Sequence, residues 1–122
     1  MQNYKLLSEL GDGTYGSVIK AVHKNSGELV AIKKMKKDYV NWKDCIELKE
    51  VSSLRELGHP NIVRLREVIK EDDKLYFVFE HMEENLYQLM CSRDKPFPEP
   101  IVRNIVFELT FCTLILLNSL DC

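Results

Sequence analysis

The sequence is short of several things that would declare its class at once. Its cysteines, Cys45, Cys91, Cys112 and Cys122, form no C-x-x-C pair, and no histidine is spaced to complete a zinc site. That excludes the common zinc and redox motifs and suits four reduced thiols in a cytosolic or nuclear protein. Charge of one sign is not in excess: 17 Lys and Arg stand against 19 Asp and Glu, a formal net charge of −2. A strongly basic surface for nucleic acid is therefore not expected. No apolar run approaches the ~20 residues that a membrane helix needs, so no membrane contact is expected. The N-terminal "MQNYKLLSEL" carries Glu9 and no long apolar core, so it does not read as a secretion signal. Repeats and low-complexity linkers are also missing.

What remains is ordinary globular composition. The 122 residues are 45% hydrophobic and 30% charged, enough for one domain at most. Tyr4 to Leu10 reads as a strand running into a cluster of glycines. "SVIKAVHK", 17–24, reads as a second strand, and "NSG", Asn25 to Gly27, as a turn. "ELVAIKKM" reads as a third strand, with Val30 and Ile32 on one face and Leu29, Ala31, Lys33 and Met35 on the other. Asp44 to Leu57 predicts a helix, capped by Asp44, closed by Gly58 and stopped by Pro60. "NIVRLREVI" and "KLYFVFE" predict two more strands joined by "KEDDK". "ENLYQLM", Glu84 to Met90, predicts a short helix. "FPEPIVRNIVFEL" predicts the start of another, with Pro98 and Pro100 where a missing N–H is tolerated. The fold class is α+β: a five-stranded antiparallel sheet with one packed helix, followed by further helices. The "KKMKK" run, Lys33 to Lys37, reads as a solvated strand end rather than a nuclear address.

The glycines at 11, 13 and 16 are spaced G-x-G-x-x-G, and Val18 follows. The dinucleotide-binding form of this motif needs a helix after the glycines and an acidic residue about 20 residues further on. Here β-branched residues and a turn follow, so that reading is set aside. The other form is a β-hairpin whose glycine tip offers backbone N–H groups to phosphates. On the glycines alone, an ordinary glycine-rich hairpin stays open. Lys33 shares a strand face with Ala31, and an inward ammonium wants a phosphate or a carboxylate. Glu50, Leu54 and Leu57 recur as one helical stripe, which turns Glu50 inward with the leucines. Lys33 and Glu50 are best read as a pair.

Glycine loop, V-A-I-K and helix glutamate together resemble a protein kinase. "GDGTYGSV", "GELVAIKKMK", "LYFVFEHMEENLYQL" and "FPEPIVRNI" are similar to the group that includes the male germ cell-associated and intestinal cell kinases, CMGC-group relatives of the cyclin-dependent and MAP kinases. The resemblance covers residues 4 to about 107. It implies a kinase N-lobe and hinge over 4–83 and the start of a C-lobe over 84–109. It also implies ATP as cofactor, with Mg²⁺, and a protein Ser or Thr as phosphate acceptor. Gly11, Asp12, Gly13, Thr14, Tyr15 and Gly16 would form the loop over the ATP phosphates. Lys33 would hold the α- and β-phosphates and be fixed by Glu50. Leu10, Val18 and Ala31 would sandwich the adenine, and Phe79 would be the gatekeeper behind it. Glu80 and Met82 would bind adenine through backbone C=O and N–H. Leu54 and Leu65 would belong to the hydrophobic spine. Thr14 and Tyr15 match the loop tip at which cyclin-dependent kinases are inhibited by phosphorylation. By the same resemblance the protein would be cytoplasmic, or nuclear or ciliary.

The motifs that supply the catalytic aspartate and the metal ligands, H-R-D and D-F-G, do not occur in the sequence, nor does A-P-E. No metal ligand is therefore expected in this chain. "TFCTLILLNSLDC", 110–122, departs from the kinase pattern and reads as a divergent apolar tail from a changed reading frame, a retained intron or an alternative last exon, with a genuine extra hydrophobic element as the second reading. The chain alone is expected to be inactive and poorly soluble. The alternative is a non-catalytic fragment that binds a chaperone or a kinase partner.

Overall fold

The computed structural model describes residues 1–41, 43 and 58–120, the side chains of 115–120 excepted. The helix expected at 44–57, with Glu50, Leu54 and Leu57, lies outside the described residues. The chain divides into two units: Met1–His59 with Val63–His81, and Pro60–Ile62 with Met82–Cys122.

The first unit carries five antiparallel strands: β1 (Tyr4–Asp12), β2 (Gly16–His23), β3 (Leu29–Asp38), β4 (Leu65–Glu71) and β5 (Lys74–Glu80). Their order in the sheet is β1-β2-β3-β5-β4. Each expected strand is present. β4 starts later than "NIVRLREVI" suggests, because residues 60–62 belong with the helices; there the Cys112 thiol meets the Asn61 carbonyl at 3.7 Å.

Local chemistry sets the turns. Between β2 and β3, Gly27 adopts φ 72° and its N–H donates to the His23 carbonyl at 2.8 Å. Between β4 and β5, Glu71 pairs with Lys74, and the two residues between them, Asp72 and Asp73, have φ 49° and 59°. Positive φ at both central residues is what a tight hairpin turn requires, and Asp tolerates it better than most residues.

The sheet has an apolar cluster on each face, as the strand alternation dictates. Ala21, Val30, Ile32 and Val78 form one cluster, flanked by Met1, Tyr4, Ile69 and Tyr76. Met35, Tyr39, Leu75 and Phe77 form the other, flanked by Leu65, Val68 and Phe79. Phe77, Ile32, Leu75 and Val78 are fully buried. A polar network ties the strand ends together. Glu28 and Arg66 form a bidentate ion pair, and the Tyr4 hydroxyl donates to the Glu67 carboxylate at 2.7 Å.

The second unit holds α1 (Leu86–Cys91) and α2 (Glu99–Leu120). α1 begins two residues later than expected because Asn85 is its cap. The Asn85 side chain accepts from the Gln88 N–H at 2.8 Å, and the Gln88 side chain accepts from the Asn85 N–H at 3.0 Å. At the start of α2, the Pro98 carbonyl accepts from the N–H groups of Ile101 and Val102. Among the described residues no helix is long and apolar enough to cross a membrane.

Candidate functional site

The site is assembled on the sheet face that carries Phe77. Val18 lies opposite Lys33 across β2 and β3, and Lys33 lies opposite Phe77 across β3 and β5. Ala31 lies opposite Phe79, which in turn lies opposite Leu65 on β4. Alternation therefore gathers Val18, Ala31, Lys33, Phe77 and Phe79 on one face, as the third strand's pattern predicts. Leu65 packs there too.

Lys33 is half-buried, and its ammonium stands 6.0 Å from the centre of the Phe77 ring, within cation–π range. Phe79 meets Phe77 edge to face, with ring centres 6.4 Å apart. A small residue, Ala31, sits between Lys33 and the start of β3, opposite Phe79. Leu10 falls where the β1–β2 register slips, between Glu9 and Gly11, and is half exposed. Glu50, the expected partner of Lys33, lies outside the described residues.

The three motif glycines have different physical reasons. A Cβ on Gly16 would collide with the carbonyl oxygen of Lys34, so β2 reaches β3 at this point only as glycine. A Cβ on Gly13 would come no nearer than 3.6 Å to the Gly16 carbonyl, and one on Gly11 would meet nothing within 4 Å. Neither Gly11 nor Gly13 has positive φ. Nothing in the sheet requires a glycine at 11 or 13. Between them the Asp12 carboxylate pairs with Lys36 at 3.0 Å. Thr14 and Tyr15 form the exposed tip, with Tyr15 75% exposed.

At the far end of β5, Glu80 is braced from two sides. Its N–H donates to the Arg64 carbonyl at 3.3 Å, and its carboxylate accepts from the Arg64 N–H at 2.9 Å. These bonds continue the β4–β5 ladder past its last strand pair, Leu65 with Phe79. Met82, in the second unit, is 53% exposed. Neither the Lys36 pairing nor the Glu80 brace was expected from the sequence.

The protein kinase domain family matches residues 4–114 of the chain. That match runs several residues past the start of the expected divergent tail. Over 109 residues, 89% of this chain, it is 54% identical to the Mus musculus serine/threonine-protein kinase MAK, of which it covers 18%. It is likewise 54% identical to the Rattus norvegicus serine/threonine-protein kinase ICK, covering 17% of it. It is 55% identical to cyclin-dependent kinase F-4 of Oryza sativa, covering 24% of it. The chain thus spans under a quarter of the length of these relatives. Sheet, glycine loop, V-A-I-K lysine and matched family agree: the chain belongs to the protein kinase family, among serine/threonine kinases similar to MAK and ICK.

Proposed function

We propose that residues 4–83 bind ATP as the small lobe of a serine/threonine kinase. The observation that carries this reading is the contrast among the glycines. Gly16 answers to the sheet, whereas among the described residues no close contact requires a glycine at 11 or 13, which fits a space kept for phosphates. Residues Gly11 to Gly16 would cover the phosphates through backbone N–H groups. Lys33 would neutralise them, with Glu50 as its carboxylate partner. Leu10, Val18 and Ala31 would enclose the base, with Phe79 behind it. The Glu80 carbonyl and the Met82 N–H would meet its edge, and the Arg64 brace would keep the Glu80 carbonyl in place.

ATP supplies the phosphoryl group in this family, and Mg²⁺ neutralises its charge. Among the described residues no three His, Cys, Asp or Glu side chains converge as metal ligands. Since the sequence holds no H-R-D or D-F-G segment, the reading is of a nucleotide-binding lobe that transfers no phosphate by itself. Within a longer chain bearing those segments, the same lobe would serve transfer to a protein Ser or Thr.

Thermal shift of the 122-residue chain with ATP tests the binding. A rise in melting temperature that Lys33→Ala removes supports it. No rise in the wild-type chain at millimolar ATP counts against it. Incubation with labelled ATP and a general protein substrate tests the second half, and incorporation into that substrate would refute inactivity.

A further inference from the structure

One residue of β3 holds the glycine loop at both of its ends. The Lys36 ammonium stands 3.0 Å from one Asp12 carboxylate oxygen and 3.2 Å from the other. The Lys36 peptide N–H donates to the Tyr15 carbonyl at 3.1 Å. Asp12 is the last residue of β1, and Tyr15 immediately precedes β2. Between them the Gly13 N–H donates to the Gly16 carbonyl at 2.9 Å.

The geometry points to Lys36 as a positioning residue that latches the glycine loop to β3 and thereby raises affinity for the phosphates of a nucleotide. The inference rests on the ATP reading above. Its logic is one of order and of charge. Glycines at 11 and 13 give the loop many conformations, and a ligand that must order the loop binds more weakly. A latch orders it beforehand. The same ammonium also offsets the Asp12 carboxylate, which would otherwise face an anionic ligand unpaired. Both side chains are about half exposed, and exposed ion pairs add little to global stability. The effect therefore belongs in loop order and phosphate affinity rather than in the melting temperature.

Two measurements on the 122-residue chain decide it. Without nucleotide, amide hydrogen exchange across residues 13–17 should quicken about two- to five-fold in Lys36→Ala and in Asp12→Asn, the range expected of an exposed ion pair. Lys36→Arg should restore the slow rate. Unchanged exchange in both weakened variants overturns the latch. With nucleotide, Lys36→Ala should weaken ATP by a similar factor and leave adenosine, which has no phosphate, unchanged. Equal weakening of both overturns the phosphate role. A wild-type chain that binds neither overturns the ATP reading and the phosphate role with it, while the exchange rates still decide the latch.

Discussion

The sheet unit and the helical unit treat their apolar residues in opposite ways. Every described residue in the buried apolar core, from Ala21 to Val78, belongs to the sheet unit. In α1 and α2 no described side chain is buried; Phe107 is 68% exposed, Leu109 59% and Val106 56%. α2 carries apolar residues around most of its circumference, which is the composition of a helix covered on all sides. The five strands and their turns gather these residues into one apolar cluster on each face of the sheet. The helices have apolar surface and, among the described residues, little to set it against.

Substitutions would sharpen or break this contrast. The largest expected effect is at Phe77: Phe77→Ala should lower unfolding free energy by about 3–5 kcal/mol in urea titrations. Phe107→Ala should stay within about 0.5 kcal/mol. Comparable losses at both would mean that the helical unit has a core after all. Next comes the glycine loop, where the sheet ends. Gly16→Ala should cost roughly 1–3 kcal/mol, because the new methyl must displace the Lys34 carbonyl. Gly11→Ala should leave stability within about 0.5 kcal/mol and weaken ATP binding instead.

Smaller effects lie in the polar ties. Burial first, and then the hydrogen bond to Glu67, push the Tyr4 hydroxyl up to about 12. A raised value means that this contribution is complete below the ordinary tyrosine range, near 10, and is lost as pH rises toward 12. In a tyrosinate absorbance titration, Tyr4→Phe should therefore remove a late-ionising step. The hydrogen bonds from Arg66 hold the Glu28 carboxyl below its usual value. Its contribution is thus present above the ordinary carboxyl range and fades as pH falls below it. The difference in urea midpoint between wild type and Glu28→Gln should shrink in acid accordingly. Glu99 and Arg103, one turn apart on α2 and more than three-quarters exposed, are the control. Glu99→Gln should change stability almost not at all.

Much of this was legible beforehand, and the reasons are local. Alternation placed Ala31 and Lys33 on one face of β3, and turn residues marked the hairpins. The kinase motif set was recognisable as written. Pairing between distant segments was not legible. No periodicity says that β3 lies beside β5, yet that neighbourhood sets Lys33 opposite Phe77 and Ala31 opposite Phe79. The cap of α1 was a missed signal, since Asn85 and Gln88 already have the spacing of a capping box. In the sequence the glycine motif is a single object. Only the packing separates Gly16, which the sheet demands, from Gly11 and Gly13.

The strand order also bears on how the site comes into being. β5 is flanked by β4, reached through a two-residue turn, and by β3, reached only across the whole segment between them. Chain entropy makes the short closure easier than the long one. The Asp72–Asp73 hairpin should therefore form early, and the seam of Ala31 and Lys33 against β5 later. Pulse-labelled amide exchange during refolding would show the β4–β5 ladder protected before the β3–β5 ladder. On that timetable the candidate phosphate-binding lysine meets its surroundings only near the end of folding, so a partly folded chain would carry its glycine loop without a floor beneath it.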